Sequence, residues 1–556
     1  MSIINSFDFL GQDTRVRKYL MPVAVTKVYG TVRNAEKLLV PKPLQIGLSE
    51  PEVTELENGE SGEKASVILD FGCEIHGGVR ILAAFNKGVK NPLVKITFGE
   101  SLCEVNSEIG QKGACNDHAA RQFTVPVPAL SDQEWGQTGF RFVKLELQDC
   151  NTVLKLKLVA AVFIYRDYEY KGSFECSDPE INKIYETAAY TCHLCLQNMV
   201  WDGIKRDRLV WIGDMMIETM TVRDIFGRAD IVEQSLEFVR DQTPLPGWMN
   251  NMPAYSLWWV LILNDWYMAT GNMEFLRRQR EYLNGLLDML CGHVKDDGSD
   301  TIGSYFLDWP TNADEHKVAA VRSLLKMALI AGAGLCEELG DSNLSVRCRR
   351  SAEALGVKPC DSGEIKQIAA VMALAGDMDA DTAADIIENN GIKDFSTFMG
   401  YHLLAALGTA GRYGSAITLM KQYYGQLFKK GATSFWEDYD SSWSDGSGDI
   451  THEPTPDEKD IHGDFGAYCY QGFRHSFCHG WAAGPVPYLT EYVLGISITE
   501  PGCRTLKITP HLDGLTWAKG TFPTPYGVVS VEHKLTKDGT VESKIDAPDG
   551  VKVTLG

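Results

Sequence analysis

Up to about residue 170 the chain alternates apolar and polar positions at a period near two. The runs KASVILDFG (64–72), VRILAAF (79–85), PLVKITFGE (92–100), FRFVKLELQ (140–148) and LKLKLVAAVFIYR (154–166) are rich in β-branched and aromatic residues. Turn residues such as HGG and NKG separate them, and helical periodicity is poor. The pattern predicts an N-terminal β-sandwich over 1–172. Near 175 the period changes. Asp178 stands as an N-cap with Pro179 at the first helical position. Ile181, Ile184, Tyr185, Ala188, Cys192 and Cys195 then share one helical face. Further on, Val318, Val321, Leu325 and Ala328 form a stripe that Gly340 ends. Helical patterning continues to about 495, long enough for about twelve helices of average length. The expected unit is a central all-α (α/α)6 barrel over 173–495. Strands return in TLKITPHL, GVVSVEHKLT, VESKIDAP and VKVTLG, which predict a C-terminal β-sandwich over 496–556.

Composition narrows the function. With 556 residues the chain is too long for one ordinary core. A formal net charge of −21 argues against nucleic acid or an anionic membrane as partner. The first twenty residues lack a charged segment followed by an apolar one, and no apolar run approaches the ~18 residues of a membrane span. A cytoplasmic setting is expected, or a periplasmic one if a leader has been trimmed; the oligomeric state is left open. Of 14 cysteines only Cys192 and Cys195 are close together. Zinc or redox chemistry would want a second ligand pair, so buried reduced thiols are the better reading, with no metal and no cofactor.

Three helical-region segments carry candidate chemistry. The first, VWDGIKRDRLVWIGDM (200–215), interleaves Asp202, Asp207 and Asp214 with Lys205, Arg206 and Arg208, between Trp201 and Trp211. GSYFLDWPTNADEH (303–316) holds Asp308 and Trp309. The third, from Gly431, carries Trp436, Glu437, Asp438 and Trp443 and leads through an acidic loop to HSFCHGW, with His475, His479 and Trp481. Taken singly, each has a bland reading: an isolated Asp caps a helix or decorates a surface, and His479 is a structural histidine. The DGSGD stretch could gather oxygens for calcium, but the complete twelve-residue pattern is missing. In combination, tryptophans and carboxylates suit a carbohydrate: aromatic faces cover sugar C–H surfaces while charged groups take the hydroxyls. Hydrolysing a glycosidic bond needs two carboxyl groups, one on each side of the anomeric carbon. Asp207 and Glu437 are the candidate pair.

WDGIKRDRLVWIGD (201–214) resembles the signature of bacterial α-L-rhamnosidases, glycoside hydrolase family 78. GATSFWED (431–438), SFCHGWAAGPVPYLTEYVLGI (476–496) and PGCRTLKITPHLDGLTWAKGTFPTPYGVVSVEH (501–533) are similar to later segments of that family. LDFGCEIHGGV (69–79) and ITFGESL (96–102) are similar to its N-terminal β-domain. The resemblance implies an inverting exo-glycosidase for terminal α-L-rhamnosyl residues. It gives Asp207 the general-acid position and Glu437 the general-base position. Asp202, Arg206, Trp211, Asp214, Asp308, Trp309, Trp436 and His479 fall at sugar-binding positions, and Trp211, Trp309 and Trp436 are expected to face one concave site. The acid position in the family is usually Glu. Asp207 is shorter by about 1.5 Å, and a ~1 Å misplacement can cost on the order of a hundredfold in rate. Two alternatives stand beside rhamnoside hydrolysis: another terminal sugar, or a catalytically impaired carbohydrate-binding homologue, which the retained Glu437 disfavours.

Overall fold

A computed structural model describes residues 11–356 and 360–556. Residues 1–10, part of the stretch read for a leader, lie outside the described residues.

Nine strands between Arg15 and Arg166 form one continuous sheet rather than two separate ones. The 18-residue strand Ser66–Ala83 makes this possible. Its first half pairs with Ala24–Tyr29, and its second half pairs with Thr152–Arg166. Register shifts after Asp70 and Gly77 bend it, so the sheet folds over its own apolar face. Val67, Leu69, Val79, Val143, Leu145 and Leu154 fill the enclosed core. Gly77 sits at the closest approach: a Cβ there would lie 1.7 Å from the Val162 carbonyl oxygen, so no larger residue fits.

Between Pro179 and Tyr488 the described residues form twelve α-helices. The first, Pro179–Cys195, starts as its sequence dictates, with the Asp178 carboxylate accepting the Glu180 N–H at 2.9 Å. It packs against both Tyr413–Lys429 and Pro485–Tyr488, so the end of the helical run returns to its beginning. One expectation needs correcting. The helix Lys317–Leu339 is long and apolar enough to cross a membrane. Its apolar residues are instead spent inside the protein, where Val321, Leu324, Leu325, Ala328 and Leu329 are all fully buried.

Two small sheets cover one side of the helices. Ile496–Ile498, Thr505–Ile508 and Lys552–Leu555 make a three-stranded sheet. The other sheet runs Ser173–Cys176, Trp517–Thr524, Gly527–Leu535, Val541–Asp546. Its first strand comes from just ahead of the first long helix, where Phe174 and Cys176 alternate inward. Cys192 and Cys195 are buried, unpaired thiols.

Candidate active site

The segment between the helices Pro179–Cys195 and Ile212–Ile225 is a loop that closes on itself. Asp202 N–H donates to the Leu209 carbonyl at 3.1 Å, and Leu209 N–H donates to Asp202 Oδ1 at 2.9 Å. Residues 203–208 are thereby held out as a finger. Gly203 bridges to His479 and Gly480 N–H donates to the Asp202 carbonyl at 2.8 Å, which sets the finger against the second arm, residues 435–438 and 475–480. That arm is pinned in turn: Trp481 Nε1–H donates to the Glu437 carbonyl at 2.8 Å, and Thr397 Oγ1–H donates to the same oxygen at 2.6 Å.

Arg206 joins the arms. Its Nη1 contacts Asp207 Oδ1 at 2.8 Å and its Nη2 contacts Glu437 Oε1 at 2.5 Å. Glu437 Oε2 accepts the Ser476 N–H at 3.2 Å. Burial pushes the Glu437 carboxyl above its usual range, and Arg206 holds it back. Asp207 is the more open of the two, its side chain 17% exposed against 5% for Glu437. Its backbone has φ +51°, followed by Arg208 at φ +54°, a conformation that costs a non-glycine residue about 1–3 kcal/mol and is typical of functional sites. Trp211 Nε1–H donates to Asp207 Oδ2 at 3.2 Å.

Behind this pair lies a buried acidic floor. Asp202, Asp214 and Glu437 surround His479, whose Nε2 stands 3.6, 3.8 and 3.8 Å from their oxygens. Burial pushes the Asp202 and Asp214 carboxyls well above the usual carboxylate range; the nearby Asp214 charge adds to the effect on Asp202, and the Tyr255 hydroxyl opposes it on Asp214. Burial, with Arg206 adding to it, pushes the His479 imidazole well down, so the ring is neutral. One wall is aromatic. Trp211 meets Tyr255 edge-on at 6.0 Å, Tyr255 meets Phe306, and Phe306 meets Trp309 at 5.3 Å. Trp309 stacks on Tyr468 at 5.8 Å. Asp308, pushed up to about 6 by burial, accepts hydrogen bonds from Ser396 and the Trp309 N–H.

Trp436 corrects the expectation of three converging tryptophans. It is fully buried and stacks on Phe477 at 3.9 Å. Neighbouring side chains on this non-helical segment point to opposite sides, so Glu437 faces the site while Trp436 faces the core. It braces the Glu437 arm and offers a sugar no surface.

Several contributors escape sequence reasoning. Glu100, Glu104 and His462 bring potential ligand atoms within 4.8 Å of one another, a set that could hold a metal ion. In this structure Lys205 Nζ lies among them, at 3.1 Å from Glu100, 2.9 Å from Glu104 and 3.5 Å from His462. Burial lifts Glu100 to about 7, with Lys205 opposing. Glu100 also accepts the Phe477 N–H at 2.8 Å. The N-terminal sheet thus grips both arms at once. It also sends His118 to Asp207, with Nδ1 2.9 Å from Oδ1. The only sequence signal for these residues is ITFGESL, which contains Glu100.

The comparisons with known proteins agree with this layout. Residues 169–340 match the bacterial alpha-L-rhamnosidase six-hairpin glycosidase domain, and residues 495–556 match the bacterial alpha-L-rhamnosidase C-terminal domain. Asp207 lies inside the first matched range, and Glu437 falls between the two. The matched helical region is therefore of the glycosidase-domain class. Over both ranges the chain is similar to bacterial alpha-L-rhamnosidases. It is 24% identical over 534 residues to the alpha-L-rhamnosidase of Alteromonas sp. (strain LOR), covering 86% of this chain and 54% of that protein. A shorter match, 24% over 205 residues, links it to the alpha-L-rhamnosidase of Formosa agariphila, over 36% of this chain and 21% of that one. The GH78 rhamnosidase of Bacillus sp. GL1 shares the fold at a TM-score of 0.75 and 23% identity, over 94% of this chain and 55% of its own. The rhamnosidase from Klebsiella oxytoca with rhamnose bound does so at 0.66 and 20%, over 86% and 96%. The chain spans about half the length of the Alteromonas relative it matches.

Proposed function

We propose that this protein is an inverting exo-glycosidase that removes terminal α-L-rhamnosyl residues from glycosides. The observation that carries the reading is Arg206, whose one guanidinium holds Asp207 on one nitrogen and Glu437 on the other. Two hydrogen bonds and one planar fork separate the nearest carboxyl oxygens, roughly 8 Å at most. That bound admits the ~6.5–9.5 Å of an inverting pair, which leaves room for a water, as well as the ~5–5.5 Å of a retaining one; the resemblance to the rhamnosidases is what favours inversion. In this reading Glu437 takes a proton from that water as its oxygen attacks the anomeric carbon. Its raised pKa makes it a better acceptor than an ordinary Glu. Asp207 gives its proton to the departing glycosidic oxygen. Asp202, Asp214, His479 and Asp308 take the hydroxyls, and Trp211 and Trp309 cover the apolar face.

Exo-action is supported by the burial of Asp202, Asp214 and His479 behind the pair. The helical run returning to its own start supports closure as an (α/α)6 barrel. The buried thiols of Cys192, Cys195 and Cys478, none in a disulfide, favour a reducing, cytoplasmic setting. A second reading, another terminal sugar, is favoured by Asp207 itself, one carbon shorter than the Glu usual in the family. A panel of nitrophenyl glycosides with NMR of the first-formed anomer tests both. The proposal expects release from α-L-rhamnoside with inverted configuration. Turnover of a different glycoside alone selects the second reading, and turnover of none refutes both.

A further inference from the structure

A short hairpin frames Trp309. Its strands, Gly466–Ala467 and Tyr470–Gln471, pair Gly466 with Gln471 and Ala467 with Tyr470 around a two-residue turn. Gly466 lets the strands close, since a Cβ there would lie 2.2 Å from the Tyr470 carbonyl oxygen. Gly472 N–H donates to the Phe465 carbonyl at 2.8 Å, and Arg474 donates to the Cys469 carbonyl at the tip. Tyr468, at φ +55°, supplies the ring that stacks on Trp309. Tyr470 meets the same indole edge-on, at 6.4 Å and 87°. The Tyr470 ring also packs 6.0 Å from His475, whose Nε2 accepts the Asp438 N–H at 3.0 Å. The ring is thereby fixed between the aromatic wall and the Glu437 arm.

Tyr470 is only 2% exposed, yet among the described residues no group hydrogen-bonds its hydroxyl. A buried tyrosine ordinarily finds a partner for that group. The hydroxyls of Tyr424 and Tyr488 also lack one, but they are sealed in the core, whereas that of Tyr470 keeps an opening. The carboxyls that face it are Asp438, Asp308 and Glu437. Burial, with these charges adding to it, pushes the phenol up, so it keeps its hydrogen. A donor thus faces three acceptors and bonds none of them. Asp438 has capacity to spare, since among the described residues only its Oδ1 is engaged, by the Tyr439 N–H at 2.9 Å. We propose that Tyr470 binds a hydroxyl of the terminal sugar, giving its hydrogen to that oxygen while a facing carboxyl accepts in return. The proposal deepens the functional reading and rests on it.

The arrangement suits a sugar. A pyranose lying on an indole turns its hydroxyls outward at its edge, and a tyrosine ring nearly perpendicular to that indole points along the edge rather than covering the face. A ligand hydroxyl can both accept and donate, which is what a phenol beside carboxyls requires. Removing the Tyr470 oxygen leaves a ring that still packs on Trp309 and His475, so the bond can be separated from the packing. Tyr470 is assigned to binding, and loss of activity alone would not establish that role.

The test is a cycle between protein and substrate. Tyr470→Phe and the unaltered protein are compared on nitrophenyl α-L-rhamnoside and on its monodeoxy analogues, each lacking one ring hydroxyl. On the parent, KM should rise about 2–10-fold with kcat retained. On the analogue that lacks the bound hydroxyl the two proteins should have the same KM, because the bond is already gone. An unchanged KM on the parent, or an equal loss on every substrate, overturns the proposal; the equal loss is what a tyrosine that only packs, or only holds a water, would give. Failure of the functional reading shows instead in the unaltered protein, as no turnover of any rhamnoside. Calorimetry with L-rhamnose then decides the proposal: weaker binding by Tyr470→Phe supports it, and equal affinity or no binding overturns it.

Discussion

The two arms that bring carboxyls to Arg206 are built in opposite ways. The Glu437 arm is dry and braced: its carboxyl is only 5% exposed, its own carbonyl takes two hydrogen bonds, and Trp436 beside it is locked on Phe477. The Asp207 arm is a finger with two consecutive left-handed residues, open at its tip and held by side chains and carbonyls of another domain. The difference suits the two tasks proposed for them. A base that meets only a water can be fixed once. A donor must reach different leaving groups and be recharged from solvent after every turnover.

The largest expected effect breaks the braced arm. Glu437→Gln keeps the shape and removes the proton acceptor, so kcat should fall by about 10²–10⁴-fold on every glycoside while binding survives. A loss confined to poor leaving groups would exchange the roles of the two arms. Asp207→Asn removes a donor that a nitrophenolate hardly needs and a sugar alkoxide cannot do without. Its loss should therefore approach the same range only on natural glycosides. Equal damage to aryl and sugar leaving groups would make Asp207 a binding residue, with Asp202 and Asp214 the next candidates for the acid.

Lys205 belongs to both arms, since its ammonium also donates to the His475 carbonyl at 2.8 Å. Lys205→Met leaves Glu100 buried without its cation and Glu104 with Arg121 alone, a change expected to cost about 3–5 kcal/mol in chemical denaturation. The sign of its pH dependence follows from Glu100, whose folded-state value of about 7 lies above the ordinary 4.5. Between those values the folded state binds more protons than the unfolded one, so this contribution to stability is present at low pH and is lost as pH rises through about 7. Removing Lys205 removes the opposing charge, so the variant's deficit should grow from pH 5 to pH 8. A pH-independent deficit would mean that lost packing, not charge, links the arms.

The smallest effect is a shift in a pH profile. Arg206 holds the Glu437 carboxyl down against burial. Arg206→Gln should therefore move the acidic limb of kcat/KM to higher pH, apart from any fall in its plateau. A limb that stays in place would separate Glu437 from the group that titrates there.

Much of the molecule could be read along the chain, because period-two and helical patterns are local. The site was legible where its residues are close in sequence: Asp202, Arg206, Asp207, Trp211 and Asp214 share one loop and the start of one helix. Trp436 misled because composition does not say which way a side chain points, and its neighbour Glu437 takes the side that faces Arg206. Lys205 reads on paper as one more charge in a mixed cluster. Its partner Glu100 lies 105 residues away, and no local pattern announces such a pairing.

The sequence by itself determined the order of the strand-rich and helical regions, the capped start of the first long helix, and the residue types from which a sugar site could be made. The tertiary structure alone decided that Asp207 and Glu437 share one guanidinium, that His118 reaches Asp207 from the N-terminal sheet, and that Trp436 serves the core. The physical reason is one of range. Hydrophobic periodicity and capping act between residues a few positions apart, whereas the distance between two carboxyls is fixed by how whole elements pack to bury their apolar faces.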